Sequence, residues 1–249
     1  MGIDNFQILD LSVYKTRKKE IENFIKIMKL FENYENTKNN NGLTKFEEIF
    51  NFKENNIDFC YGDIINILKS NVSLMIYNII EYTISYLIDS IYEKIKNEKL
   101  SYKDVNDSIK KIWREKYLKS LKDPNANFST VMKKNEQMIL FILENKTIEL
   151  QSRYTLPDGN LDGESINDLF GLHGIKLNCS DNNYRPDLLK SIKDKRNDLA
   201  HGSVSFVEAL RNLSIGDIEK SSKIVLAFLE QTINLVNSFI KKQKYRAVL

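Results

Sequence analysis

An all-α fold follows from three observations on this chain. Its 249 residues include only 3 Pro and 9 Gly, so long stretches run without the two residues that most often break helices. Apolar residues recur at three- and four-residue spacing over those stretches, and the connections between them are short and polar. The length is ample to bury a core, and the expected architecture is a bundle of long helices with a Gly- and Asn-containing segment inserted before the penultimate long helix.

Ile21, Phe24, Ile25, Met28 and Phe31 recur at helical spacing, so about Val13 to Tyr34 is an amphipathic helix with a Lys, Arg and Glu outer face. Glu35 to Gly42 is polar and Asn-rich, which predicts an exposed loop. From about Asp63 to Ile95 the pattern is helical throughout, and Ile80, Ile84, Leu87, Ile88 and Ile91 form a broad apolar face suited to the centre of a bundle. Ser101 with Asp104 has the form of a capping box opening a helix through Trp113 to Leu121, which Pro124 ends. The basic and aromatic residues Lys110, Lys111, Trp113, Arg114, Lys116 and Tyr117 read as a solvated face over a core-anchored Trp.

Ser129 to Leu150 is the next helix, after which the chain changes character. Gln151 to Tyr184 holds four of the nine Gly, a Pro157-Asp158-Gly159-Asn160-Leu161-Asp162 turn phrase and one short helix at Ser165 to Leu172, with His173 expected to decorate a turn. The domain division expected is a helix and polar loop over 1–59 packing on a helical domain over 60–249, with 151–184 as an insertion or lid. Pro186 suits the first turn of a further helix. Ser205 with Glu208 and Ser214 with Asp217 form two more capping boxes, the second opening a helix with Ile218, Val225, Leu229, Val236 and Ile240 on one face. The basic tail from Lys241 to Arg246 reads as solvated, with an electrostatic landing site for RNA as its other reading.

A formal net charge of +3 is too small for the global field to announce a nucleic-acid partner, so any such affinity is local. Cys60 and Cys179 are isolated, without metal-ligand spacing, and are expected to be small core thiols in a reducing cytoplasm. Met1 to Leu11 lacks the pattern of a secretory leader, and Lys69, Glu81 and Asp89 interrupt the long apolar segments. The expectation is a cytoplasmic protein without a membrane partner, and no metal or cofactor is called for.

The chemistry concentrates in Arg196-Asn197-Asp198-Leu199-Ala200-His201-Gly202. Read as a helix, Asp187 to His201 gathers Leu188, Leu189, Ile192, Leu199 and Ala200 on one face, and Arg196 falls inside that stripe. Guanidinium does not shed its proton at physiological pH, so a core-facing Arg needs a carboxylate, a phosphate or a solvated cleft. It either snorkels to water or makes a structural ion pair, or it is a catalytic or phosphate-binding arginine. Glu81 faces the same problem in the earlier helix, flanked by Leu74, Tyr77, Ile84 and Ile88, and the two opposite charges are expected to meet. Tyr77 and Asn78 are placed to extend a polar network there, or to be an ordinary core aromatic and a solvated amide. Gly202 reads as the C′ residue that stops the helix. His201, in the last turn, is either a polar C-cap or an imidazole that gives and takes a proton near neutral pH.

These residues resemble the HEPN superfamily of prokaryotic RNase domains, whose motif is Arg, four to six residues, then His. Arg196 and His201 match with four residues between them, and Asn197 matches the polar residue often found after the arginine. Leu74-Met75-Ile76-Tyr77-Asn78-Ile79-Ile80-Glu81 and Gly159-Asn160-Leu161-Asp162 resemble a bacterial branch of similar length, so that coverage is roughly residues 60 to 242.

The resemblance implies a metal-independent endoribonuclease acting as a homodimer, with the motif helices of two copies facing each other across a positively lined cleft. It further implies a toxin or an anti-phage, abortive-infection effector with an antitoxin or defence-system partner. In that scheme the RNA 2′-OH attacks its own phosphate, His201 moves a proton, Arg196 stabilises the phosphorane, and a 2′,3′-cyclic phosphate remains. Asn197, Glu81 and Asn78 would support the pair. The competing readings are a non-catalytic module of the same fold that binds a nucleotide or partner protein, and a helical scaffold with a coincidental motif.

Overall fold

A computed structural model describes residues 9–37, 44–50, 60–119, 127–157, 160–178 and 181–248. The polar loop beyond residue 37, Leu121 with the Pro124 stop, Cys179 and the Asp158-Gly159 turn lie outside them. Helices follow in the order α1 (Ser12–Glu35), α2 (Lys45–Phe50), α3 (Tyr61–Asn97), α4 (Asp107–Lys119), α5 (Phe128–Leu143), α6 (Gly163–Leu172), α7 (Pro186–Ala200) and α8 (Ile215–Lys241). Extended pairing among the described residues is limited to two isolated bridges, Ser101 with Thr147 and Val105 with Arg246.

The chain forms two compact units. One comprises Leu11–Glu81 and Asn182–Leu229. It buries Ile21, Ile25 and Met28 of α1, as their spacing predicts, together with Ile76, Ile79 and Ile80 of α3 and Leu189, Ile192 and Leu199 of α7. Each such side chain contributes about 1.5–3 kcal/mol by leaving water. Tyr14 donates its hydroxyl to the Leu226 carbonyl at 3.3 Å, and Lys29 pairs with Glu219 at 2.6 Å. Phe46 meets Phe31 and Tyr61 edge-on at 5.5 and 4.9 Å.

The other unit comprises Met1–Asp10, Tyr82–Asp181 and Glu230–Leu249. Its buried residues include Ile84, Leu87, Ile88 and Ile91 of α3, Trp113 of α4, Ile166 and Phe170 of α6, and Val236 and Ile240 of α8. Asp89, seen in the sequence only as a charge interrupting an apolar run, accepts from the Ser152 amide at 2.9 Å and hydroxyl at 2.7 Å. Glu98 takes the Tyr245 hydroxyl at 2.7 Å and the Arg246 guanidinium at 2.8 and 3.1 Å, tying the basic tail to the end of α3.

Several expectations are corrected by local chemistry. The Ser101–Asp104 box is real, with the Ser101 amide 2.9 Å from Asp104 Oδ2, but it closes a 3₁₀ turn over Tyr102–Asp104. Asn106 starts the α-helix instead, its side-chain oxygen accepting from the Ile109 amide at 2.9 Å. Helix α5 stops at Leu143 and not at Leu150, because Asn145 adopts φ 49° and the Lys146 and Asn145 amides return to the Phe141 and Ile142 carbonyls. Ser205 caps Glu208 at 3.3 Å, yet only turns follow. Cys60 is exposed rather than a core thiol, and its thiol and amide reach Asp63 at 3.0 and 3.1 Å ahead of α3.

His173 is also misplaced by sequence reasoning, because it is fully buried rather than decorating a turn. Its Nδ1 lies 2.7 Å from the Leu169 carbonyl and can only donate there, which leaves Nε2 to accept from the Tyr92 hydroxyl at 2.6 Å. Burial pushes its pKa down to about 4, against the backbone bond that favours the charged form.

Gly202 ends α7 as its identity predicts. It sits at φ +69°, and the Ser203 and Gly202 amides return to the Asp198 and Leu199 carbonyls at 2.9 and 3.3 Å. A Cβ at this position would meet nothing within 4 Å, so the cost of adding one is purely conformational. Gly202→Ala is therefore expected to lower stability by about 1 kcal/mol in urea unfolding. An unchanged or raised midpoint would contradict this account of the helix end.

Candidate functional site

Helix α7 delivers the motif. Pro186 opens it, Leu189, Ile192 and Leu199 seat it in its unit, and His201 is its C-cap residue at φ −89°, ψ −2°. Leu188 is only half-buried and Ala200 is exposed, so the apolar stripe is narrower than the wheel implies. Arg196 is half-buried and His201 exposed. At 100° per residue the five steps between them amount to a turn of about 140°, so the two side chains leave α7 from different faces.

Arg196 and Glu81 do not meet directly: among the described residues neither has an ion-pair partner. The guanidinium carbon instead lies 4.9 Å from the centroid of the Tyr77 ring, a cation–π arrangement. The Tyr77 hydroxyl in turn reaches Glu81 Oε1 at 3.5 Å, a long bond. Arg196 Nη1 also donates to Asn197 Oδ1 at 3.0 Å. Four of the singled-out residues, Arg196, Asn197, Tyr77 and Glu81, thus form one chain of contacts, with an aromatic ring standing where a carboxylate was expected. The ring solves the burial problem without neutralising the charge.

Asn78 does not join them. It is exposed, and its backbone carbonyl accepts from Arg17 Nη1 at 3.3 Å. Among the described residues no three His, Cys, Asp or Glu side chains converge where a cation could sit.

Two residues missed in the sequence hold the loop that follows His201. Lys69 and Ser70 of α3 are buried, and they donate to the Leu213 and Phe206 carbonyls at 2.6 and 2.7 Å. Burial pushes the Lys69 pKa down, with the Asp217 carboxylate opposing. Lys69 lies in an apolar stretch as Arg196 and Glu81 do, so the same helical-wheel argument had the power to find it. Lys69→Met keeps the packing and strands the Leu213 carbonyl, for an expected loss of about 1–3 kcal/mol in urea unfolding. Wild-type stability in that variant would show the bond to be dispensable.

The sequence profile of the MAE_28990-like HEPN family matches residues 12–245, nearly the whole chain. The protein is a member of the HEPN superfamily. The match begins at the start of α1, so the first helix belongs to the HEPN region, where the motif resemblance alone began near residue 60. No curated protein and no solved structure matches the chain. The HEPN fold is all-helical, as the spacing predicts, and among the described residues no helix is long and apolar enough to cross a membrane. The Arg-x4-His motif of this HEPN chain occupies about the last turn and a half of α7 and the cap that ends it.

Proposed function

We propose that this HEPN protein is a metal-independent endoribonuclease whose catalytic residues are Arg196 and His201. The observation that carries the reading is the state of Arg196. It is half-buried, stacked on a neutral ring, and among the described residues it has no carboxylate partner, so its full charge remains available to a phosphate. His201 is exposed at the end of the same helix, open to an RNA strand. Family membership adds support, since HEPN domains are frequently RNases.

His201 takes the proton from a ribose 2′-OH as that oxygen attacks the adjacent phosphorus, or gives a proton to the leaving 5′-oxygen. Arg196 neutralises the charge on the phosphorane oxygens. The products are a 2′,3′-cyclic phosphate and a 5′-hydroxyl. Because the two side chains leave α7 from different faces, the arrangement that joins them is a two-fold pair, with Arg196 of one copy and His201 of the other lining a shared cleft. Asn197 and Tyr77 aim the guanidinium, and Glu81 holds the Tyr77 hydroxyl. The biological role that fits is a toxin or anti-phage effector restrained by a partner.

The deciding experiment incubates the purified protein with mixed RNA in EDTA and end-labels the products. Cleavage leaving cyclic phosphate ends is expected. RNA that is bound but never cut, under buffers in which other HEPN nucleases work, would replace the enzyme with a binding module.

A further inference from the structure

Helix α5 carries an apolar stripe that the described residues leave uncovered. None of its residues is buried, and Phe128, Met132, Ile139 and Leu143 are 79, 52, 53 and 70 % exposed. At 100° per residue these four lie within about 60° of one another. Val131, Met138, Phe141 and Ile142 are the half-covered side, where Phe141 packs against the buried Trp113 at 5.0 Å between ring centroids. The exposed stripe is therefore a second apolar face beside the one that already anchors the helix. The start of α5 is secured independently by Asn127, which accepts the Thr130 amide at 2.8 Å. A contiguous apolar patch of this kind on a capped helix marks a contact surface.

We infer that α5 is a self-association surface, and that its occupant is α5 of a second copy lying antiparallel. The order of the residues favours that occupant. Phe128 and Leu143 are the end residues of the helix, and Met132 and Ile139 each lie four residues in from their own end. A two-fold axis through the middle of the helix then lays Phe128 of each copy on Leu143 of the other, and Met132 on Ile139, so the patch is complementary to itself.

The charges agree with this direction. Lys133 and Glu136 are exposed on one flank of the stripe, and among the described residues neither has an ion-pair partner. Antiparallel pairing brings this flank of both copies to the same side and sets Lys133 of one copy beside Glu136 of the other, whereas parallel pairing carries the two flanks to opposite sides and leaves these charges without each other. Leu140, 46 % exposed, widens the patch on that same flank. This inference does not depend on the nuclease reading, which pairs copies through α7.

Sedimentation equilibrium of the full chain provides the test, using two variants whose changes fall on exposed positions. Met132→Lys and Ile139→Glu are each expected to reduce the mass of the assembly at least two-fold relative to wild type. Mixing the two variants should restore association, because each Lys at 132 then meets a Glu at 139 of the other chain. A wild type with the same mass as both variants overturns the inference, as does a mixture that stays dissociated. Because mass is compared between variants, pairing through α7 leaves the result readable, and cleavage activity plays no part in it.

Discussion

His201→Ala is expected to lower RNA cleavage by about 10²- to 10⁴-fold, the range that a positioned proton donor or acceptor supplies. Because His201 is exposed and serves only as a cap residue, the variant should unfold within a few degrees of wild type. Arg196→Ala removes the charge proposed to meet the phosphorane, for an expected loss of about 10²–10³-fold. It also leaves the Tyr77 ring without its cation, so a modest drop in stability accompanies it. Glu81→Gln should give a smaller loss in a folded protein, since Glu81 makes no direct ion pair with Arg196 and is connected to it through the Tyr77 hydroxyl and ring. Product analysis in EDTA, with a thermal melt of each variant, reads all three. Undiminished cutting by folded His201→Ala would move the chemistry elsewhere, and an unfolded Glu81→Gln would make that carboxylate a structural residue.

Acid should unfold the wild type through His173. In the folded state burial holds this imidazole down to about 4, while in the unfolded chain it titrates near the ordinary histidine value of 6.5. Between those values the unfolded state binds the extra proton, so stability rises with pH across the window and is lost as pH falls through it. The full difference is worth about 3 kcal/mol, and roughly 2 kcal/mol of it should disappear between pH 7 and pH 4.5. The cause is burial, which denies the charged imidazole its hydration; protonated Nε2 also ceases to accept from the Tyr92 hydroxyl 2.6 Å away. Urea midpoints at the two pH values measure the effect in wild type and in His173→Gln. The variant is expected to be less stable at pH 7 yet to lose about 2 kcal/mol less on acidification. An equal pH dependence in both proteins would assign the acid lability to other groups.

The long helices were legible because their signal is periodic and dense. Ile21, Ile25 and Met28 in α1, Ile84 to Ile91 in α3, and Ile218 to Ile240 in α8 are buried as their spacing predicts. Boundaries were legible only where the ending residue is distinctive. Gly202 and the Ser214–Asp217 box were read correctly, the latter with the Asp217 amide 3.1 Å from Ser214 Oγ. Asn145 at φ 49° was not, because Asn enters the left-handed region less readily than Gly and so marks a helix end less distinctly.

By itself the sequence determined the all-helical class, the position of the Arg-x4-His motif at the end of α7, and the presence of charges in apolar stripes that require partners. The identity of those partners was decided by the tertiary structure alone. Helical periodicity states which side of its own helix a residue occupies but carries no information on what the neighbouring helix presents at that height. Arg196 consequently found the face of Tyr77 rather than the carboxylate of Glu81, Lys69 found the Leu213 carbonyl, and His173 found Tyr92. Each contact joins residues at least 81 positions apart, and packing in three dimensions is what selects among the groups that local sequence leaves equally eligible.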